Sequence, residues 1–557
     1  MALSQRGPSH RPSRAIVLAT VIALLLPMLS AWSAAAAQDG GPDVLRIHRR
    51  FYPVLLDPQR GGFLPDVSVT ELVYEGLTRI DANAAVAPAA AESWEFSEDG
   101  RTLTFHLREG LTYSDGSALT AERFRDAALR TCHPLTAGLY QGILFPIEGC
   151  EALANSSSPD AEGALAEEFG VEAPDDRTVV IRLRAPAPYF PAVASLGVFF
   201  PAKVELIEAG GDDWWLDPAN HVGDGPFVLE SMEEEQLDSF RANERYWGGR
   251  PALDGIDYVY IGDNAVALEA YQHDQIDIMF VDPDQIPAIT GDETLSQEFL
   301  QFRQASTLAF SFNLRKPPFD DKKVREAFAY AFDRETWCAE IQNGGCLPTT
   351  TWIPEGIPGH VDDATYAFDP EKARQALAES SYGSASALPP ITYVYLSDDP
   401  AERIRSEWMA GQFRDVLGVE LELVGYEYAT WVDLFFSAEH FPQMMHTGWG
   451  QTYPDPQNWL SINYTCAADN LAVNVGYCNE EFDRLIAQAD TELDPDKRTE
   501  LYEQAHRLLL ADVPSVITDN AANLFLVKPS VTGYTPTTSD FAFPGEHGSL
   551  LTLDVER

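Results

Sequence analysis

The sequence predicts an α/β protein of more than one domain, on three observations. A length of 557 residues is too great for one hydrophobic core, so two or three domains are expected. Apolar residues make up 45% of the chain, the share of an ordinary globular protein. In the second half, strand-like runs at 391–396 and 419–424 lie between helix-like runs. Strands alternating with helices build a domain around a buried sheet.

The first 37 residues stand apart from the fold. Arg6, Arg11 and Arg14 form a positive region, Ala15 to Leu29 is apolar, and Ala34 to Ala37 offers small residues for cleavage before Gln38. This pattern reads as a secretory signal. No Cys follows the apolar run, which disfavours a lipoprotein anchor, and no twin-arginine pair is present. No later stretch approaches the roughly 20 apolar residues that a membrane span needs.

Val44 to Ile47 reads as a first strand, and Val69 to Leu77 as a helix. Residues 93–107 have hairpin character: Trp94 and Phe96 alternate, Glu98-Asp99-Gly100 turns, and Leu103, Phe105 and Leu107 alternate on the return. Thr120 stands as a helix cap before AERF. Residues 151–176, rich in Ala, Ser, Pro and acid, read as a surface excursion, and Thr178 to Leu183 as a strand. Asp369-Pro370 and Asp494-Pro495 each set an acidic cap before a proline at the first helical position. Leu501, Ala505, Leu508 and Leu509 then recur at helical spacing and should face a core. No tether-like linker is present, so the domains are expected to exchange strands.

Acidic residues outnumber basic ones, 86 to 38, for a net charge of −48. That argues against nucleic acid or an anionic membrane surface as a partner. Six cysteines fall in three close pairs: Cys132 and Cys150, Cys338 and Cys346, Cys466 and Cys478. Fifteen connectivities are possible. Short range and export favour the local pairing. Metal binding is the rival reading, but no pair has two-residue spacing and no His pair sits nearby.

Catalytic signatures are missing. There is no G-x-S-x-G elbow, no H-E-x-x-H and no Gly-rich phosphate loop. The 11 His are scattered, and no carboxylate pair is singled out for glycoside hydrolysis. These residues single out no catalytic site, no cofactor and no metal. A two-carboxylate glycosidase stays open at this point, and the chain is read as a binder, not an enzyme, on the segments that follow.

Four segments bear most on function: SWEFSEDGRTLTFHLREGLTYSDGSALTAERF at 93–124, GDGPFVLESMEEEQLDSFRANERYWGGRP at 223–251, KPPFDDKKVREAFAYAFDRETW at 316–337 and GWGQTYPDPQNWL at 448–460. Further segments are VYEGLTRID at 73–81, WIPEGIPGH at 352–360, FDPEKARQAL at 368–377 and YCNEEFDRLI at 477–486. In this order they resemble the family 5 extracellular solute-binding proteins, the dipeptide-, oligopeptide- and nickel-binding receptors of ABC importers. The resemblance runs from Leu56-Asp57-Pro58 to 527–534.

It implies a periplasmic-binding-protein-like fold of three domains, in two lobes around a cleft. Domain I would comprise 43–88, 199–300 and 523–557, domain II would be an insertion at 89–198, and domain III would be 301–522. Hinge closure would enclose the solute, and a membrane permease with its ATPase would receive it from a monomeric receptor. The protein would be secreted across the inner membrane, periplasmic or surface-associated.

The resemblance also implies site residues. GWGQTYPDPQNWL matches the cleft segment of the family, and its usual amino-binding Asp falls at Thr452 here. Trp449, Gly450 and Tyr453 flank that position as pocket wall, while Asp455 is either a ligand contact or a turn residue before Pro456. Phe310 and Asn313 open the third domain, Tyr52 follows the first strand, and Trp352 is either cleft or core. Dipeptide binders offer an Arg near 397–399, where this chain has Ser397-Asp398-Asp399, so Asp398 is a substitute carboxylate to consider. His446 is the one histidine to watch for a nickel complex. Loss of both charged partners points to a neutral or blocked solute, or a longer peptide. Rival functions are a secreted hydrolase reusing the fold, a binder of oligosaccharide or metal complex, and a chaperone or signalling receptor.

Overall fold

A computed structural model describes residues 42–157, 163, 166–397, 400–437, 439–466 and 475–556. Val44–Arg557 forms one compact unit, and of the unit Met1–Asp43 only residues 42 and 43 are among those described. The proposed signal segment and Asp398 lie outside the described residues.

One twelve-stranded sheet runs through the body. Its order is Leu421–Tyr426, Ile391–Leu396, Met444–Gly450, Ser306–Phe312, Ser515–Val527, Ile278–Phe280, Val44–Arg49, Gly255–Tyr260, Leu237–Ala242 and Phe227–Glu233. Phe299–Arg303 and Cys346–Pro348 also pair with Ser515–Val527. The two outermost strands on the Leu421 side are parallel, as are Val44–Arg49 and Gly255–Tyr260. Parallel pairing requires crossovers, and helices such as Pro400–Leu417 supply them.

Ser515–Val527 is the spine. Residues 515–519 pair with Ser306–Phe312, and residues 522–527 pair with Phe299–Arg303 and Ile278–Phe280. One strand thus belongs to both halves of the sheet.

A separate four-stranded antiparallel sheet contains Ala91–Phe96, Thr102–Leu107, Thr178–Arg182 and Val171–Asp175. Its hairpin matches the reading from alternation, with Trp94 opposite Phe105. Gly100 turns at φ +68°, and the Asp99 carboxylate accepts from Ser97 Oγ at 2.6 Å. The core under this sheet holds Leu103, Phe105, Phe124, Val179 and Ile181, and it also includes Tyr453 from the distant 449–454 segment.

The Asp-Pro starts are both helical. Asp369 and Asp494 accept from the two amides that open Pro370–Glu379 and Pro495–Asp512. Two expectations are displaced. Within the surface excursion read at 151–176, Val171–Asp175 is a strand of the second sheet, with Val171 buried. The helix read at Val69–Leu77 is Leu64–Val73, and Tyr74 is already extended. Beyond it the chain must pass close to the end of the short helix Phe190–Val193: a Cβ at Gly76 would stand 2.4 Å from the Ala194 carbonyl oxygen.

The cysteines are joined as 132–150, 338–346 and 466–478. Bridging Cys132 to Cys150 closes a sequence separation of 18 residues between helix Ala121–Cys132 and helix Cys150–Ala154. On the chain-entropy account such a loop is worth about 3 kcal/mol. Denaturant titration of the Cys132→Ala/Cys150→Ala protein should show a loss of that size. An unchanged unfolding midpoint would contradict it.

Candidate functional site

A cavity of about 330 Å³ opens between segments that are remote in sequence. Its walls come from 55–71, Tyr140, 196–200, 449–454 and 539–547. A second cavity of about 270 Å³ adjoins it and shares Glu71, Leu196, Phe200, Thr452, Glu546 and His547.

The 449–454 wall is fixed from behind. Asp455 caps the short helix Pro456–Trp459 by accepting from Gln457 N at 2.9 Å. Its two oxygens also take Arg498 Nη1 and Nη2 at 2.8 and 2.7 Å. Fully buried Asn458 then holds the loop: its Oδ1 accepts from Trp449 Nε1 at 3.1 Å and from Thr452 N at 2.9 Å. These bonds satisfy the Trp449 indole N–H and the Thr452 amide, and Trp449 lines the cavity.

The two sides of the cleft meet around this loop. Tyr453 is buried against Tyr189, with ring centroids 6.5 Å apart and the planes stacked. Thr452 and Tyr140 share this wall; burial raises the Tyr140 hydroxyl pKa, and the nearby Thr452 side chain opposes that rise. Gly62 makes room for Tyr140, since a Cβ there would lie 2.8 Å from the ring.

Carboxylates crowd the floor. Asp57 is neutralised by Arg130, whose Nη1 and Nη2 donate to it at 2.7 and 2.5 Å. Buried Asp66 accepts from Val54 N and Leu55 N at 2.7 and 3.0 Å through Oδ1, while its Oδ2 has no hydrogen-bond partner. Burial raises its carboxyl pKa against the pull of those amides. Glu546 Oε2 accepts from Phe541 N and Ala542 N, both at 2.9 Å. His547 stands between carboxylates, with Nδ1 3.5 Å from Asp540 and Nε2 3.9 Å from Glu71. Burial pushes Glu71 up to about 7, against the lowering charge of His547 and with Glu546 and Asp540 raising it further. Burial lowers the His547 pKa, but the neighbouring carboxylates of Asp540, Glu71 and Glu546 outweigh it and raise the imidazole to about 9.

The sequence model of the bacterial extracellular solute-binding proteins, family 5, matches residues 85–470. The chain belongs to that family. A probable deoxycholate-binding periplasmic protein, YgiS of Escherichia coli, is 29% identical over 505 residues, covering 88% of this chain and 90% of that one. The oligopeptide-binding protein OppA of Bacillus subtilis is 27% identical, covering 85% and 87%. In three dimensions, Haemophilus influenzae OppA in complex with RPPGFSPFR matches with a TM-score of 0.75 at 25% identity, over 93% of this chain and 100% of that one. The Escherichia coli murein tripeptide binding protein MppA matches with a TM-score of 0.76 at 24% identity, over 93% and 99%. The fold is accordingly the α/β periplasmic-binding-protein type.

Within this family 5 chain, Trp449, Gly450 and Thr452 line the cavity. Tyr453 does not; it is fully buried between the lobes. Asp455 is turned to Arg498 and its helix cap. The other predicted residues sit away from the cavity wall. Tyr52 packs edge-on to Tyr260 at 4.8 Å, where burial pushes its hydroxyl up to about 12. Phe310 is core, with Phe332, Trp337 and Tyr393 around it. Asn313 Nδ2 donates to the Phe441 carbonyl, and Trp352 Nε1 donates to that of Trp459, so both serve packing. His446 lies over the Phe310 ring at 5.0 Å. Among the described residues the one group of His, Cys and acidic side chains close enough for a metal is Cys338, Cys346 and Asp519, where the sulfurs are already joined. No described helix is long and apolar enough to cross a membrane.

Sequence reasoning missed Asp66, Glu71, Gln451, Glu546 and His547. Gln451 stood inside the motif. The others had no signal beyond being acidic or histidine.

The Glu71–His547 cluster sets a pH dependence. A carboxyl raised in the fold binds its proton more tightly there than in the unfolded chain, so its stabilisation is complete below about 4.5 and lost as pH rises through about 7. Glu71→Gln should therefore melt progressively higher than the parent as pH climbs across that window and hold its lead above it. The Glu71 side chain keeps 29% of its surface exposed, so the expected gain is discounted to on the order of 1–2 kcal/mol. Parallel melting curves at pH 5 and pH 8 would refute the assignment.

Proposed function

We propose that this chain is the extracytoplasmic receptor of an ABC importer, capturing a peptide or peptide-sized solute by lobe closure. The observation that carries the reading is a cavity of about 330 Å³ walled jointly by segments remote in sequence, from 55–71, Tyr140, 196–200, 449–454 and 539–547. We read 89–198 as the inserted second domain, 301–522 as the third, and 43–88, 199–300 and 523–557 as the first. Residues 303–306 and 519–522, where the chain passes between the halves of the large sheet, would be the hinge.

Relatives that carry peptides in their names support the solute class. Closure expels water, so a few polar anchors within an aromatic wall fix the solute. The reading gives the chain binding without turnover, with the solute passing unchanged to a membrane permease. Export by the N-terminal segment and a monomeric state belong to the same proposal.

Stoichiometric binding to the folded state alone raises stability by about 2.7 kcal/mol at 100 times the dissociation constant. A melting screen of peptides, oligosaccharides and metal complexes should find the class, and scattering should show a smaller radius with the hit. Release of a chemically altered solute would sink the receptor reading.

A further inference from the structure

We infer that the cleft takes a solute bearing a primary ammonium beside an apolar body, anchored by Glu71 on one side of the cleft and Gln451 on the other. The inference rests on the receptor reading and names its solute class.

The wall is one-sided in charge. Among the described residues lining the 330 Å³ cavity there is no Lys or Arg, while Asp57, Asp66, Glu71 and Glu546 all contribute. Asp57 is paired with Arg130. Asp66 and Glu546 each spend one oxygen on two backbone amides. Glu71 differs. Its carboxylate has no closer partner, among the described residues, than His547 Nε2 at 3.9 Å. That imidazole is shared with Asp540, so three carboxylates, Glu71, Glu546 and Asp540, face one cation. A further positive charge is what the cluster lacks.

Gln451 points to a ligand independently. It is 8% exposed and lines the cavity. Its Nε2 donates to Ser539 Oγ at 3.1 Å, but its Oε1 has no partner. Buried acceptors are seldom left so. Gln451 Oε1, the Glu71 carboxylate and Asp66 Oδ2 stand open as acceptors that a donor group would satisfy. His547 Nδ1, 3.5 Å from Asp540, is the one buried ring nitrogen without a hydrogen-bond partner among the described residues of this wall. An ammonium offers three N–H donors. Leu64, Val67, Leu196, Phe200, Trp449 and Phe541 surround these groups with apolar surface for the rest of the solute. Thr452 carries no charge, so the counter-charge comes from residue 71 across the cleft. In the adjoining cavity, Arg79 leaves its Nε without a partner, which orients the far end of the solute toward it.

A proton provides a second readout. Glu71 titrates near 7, among His547, Glu546 and Asp540. An arriving ammonium favours its ionised form, so at pH 6 uptake should expel a proton from the Glu71 carboxyl to the buffer.

The test uses the full chain, stripped of solute by unfolding and refolding. It is offered a random tripeptide library with free amino ends and the same library N-acetylated, with retention read by native mass spectrometry. Free-amino peptides should be retained and their acetylated forms should bind about 30-fold more weakly or worse. In Glu71→Gln that preference should shrink to within about tenfold. Calorimetry of the best peptide at pH 6, in two buffers of different ionisation enthalpy, should show proton release by the parent chain, which does not depend on the variant folding. Equal retention of acetylated peptides, or binding without proton release, overturns the inference and leaves the receptor reading standing. Retention of neither library also overturns it. The receptor reading then stands if a neutral or anionic solute contracts the protein, and falls if none does.

Discussion

The architecture depends on a single strand that belongs to two halves of a sheet. Ser515–Val527 pairs with Ser306–Phe312 at one end and with Phe299–Arg303 and Ile278–Phe280 at the other. Where it crosses, it carries Asn520 and Asn523, both buried. Asn520 Nδ2 donates to the Ser306 carbonyl and to Thr307 Oγ1, at 3.0 and 2.8 Å, while its Oδ1 accepts from Arg303 at 2.7 Å. Asn523 accepts from Gln304 Nε2 at 3.1 Å and donates to the Asp540 carbonyl at 2.6 Å. Buried amides satisfied at both ends are costly to disturb. They fix the crossover between the two halves of the sheet.

The same stitching reaches the cleft. Ala305 N donates to the Thr538 carbonyl, and Gln451 N donates to that of Ala305, both at 2.8 Å. The crossover, the 449–454 wall and the 537–547 floor are thereby one hydrogen-bonded unit. This is why Gln451, Glu546 and His547 converge although about ninety residues separate the two segments. Tyr453, stacked on Tyr189, ties this wall to the core beneath the second sheet.

Much of the fold was legible. The hairpin at 93–107 and the helices behind Asp369 and Asp494 follow from local rules, because turn glycines, alternation and acidic caps act within a few residues. The helix at 64–73 was misplaced because its end is set by the close approach of Gly76 to Ala194, a contact across sequence. The site was legible in one segment only. Trp449, Gly450 and Thr452 came from the family motif. Asp455, equally prominent in that motif, is occupied by Arg498. Glu71 and Glu546 are two among 86 acidic residues, and nothing local marks a carboxylate that will lack a partner once the chain has folded. The missing charge at position 452 leaves a neutral or blocked solute, or a peptide whose amino end is anchored elsewhere; the proposed role of Glu71 is the last of these.

The central claim is that this cleft closes on an ammonium held from residue 71. A crystal structure of the chain with its captured solute tests it most directly. The account predicts the solute nitrogen within hydrogen-bond distance of both a Glu71 carboxylate oxygen and Gln451 Oε1, with the apolar remainder against Trp449 and Phe200. A solute lying outside this cavity, or one presenting a hydroxyl or carboxylate to Glu71, would contradict it.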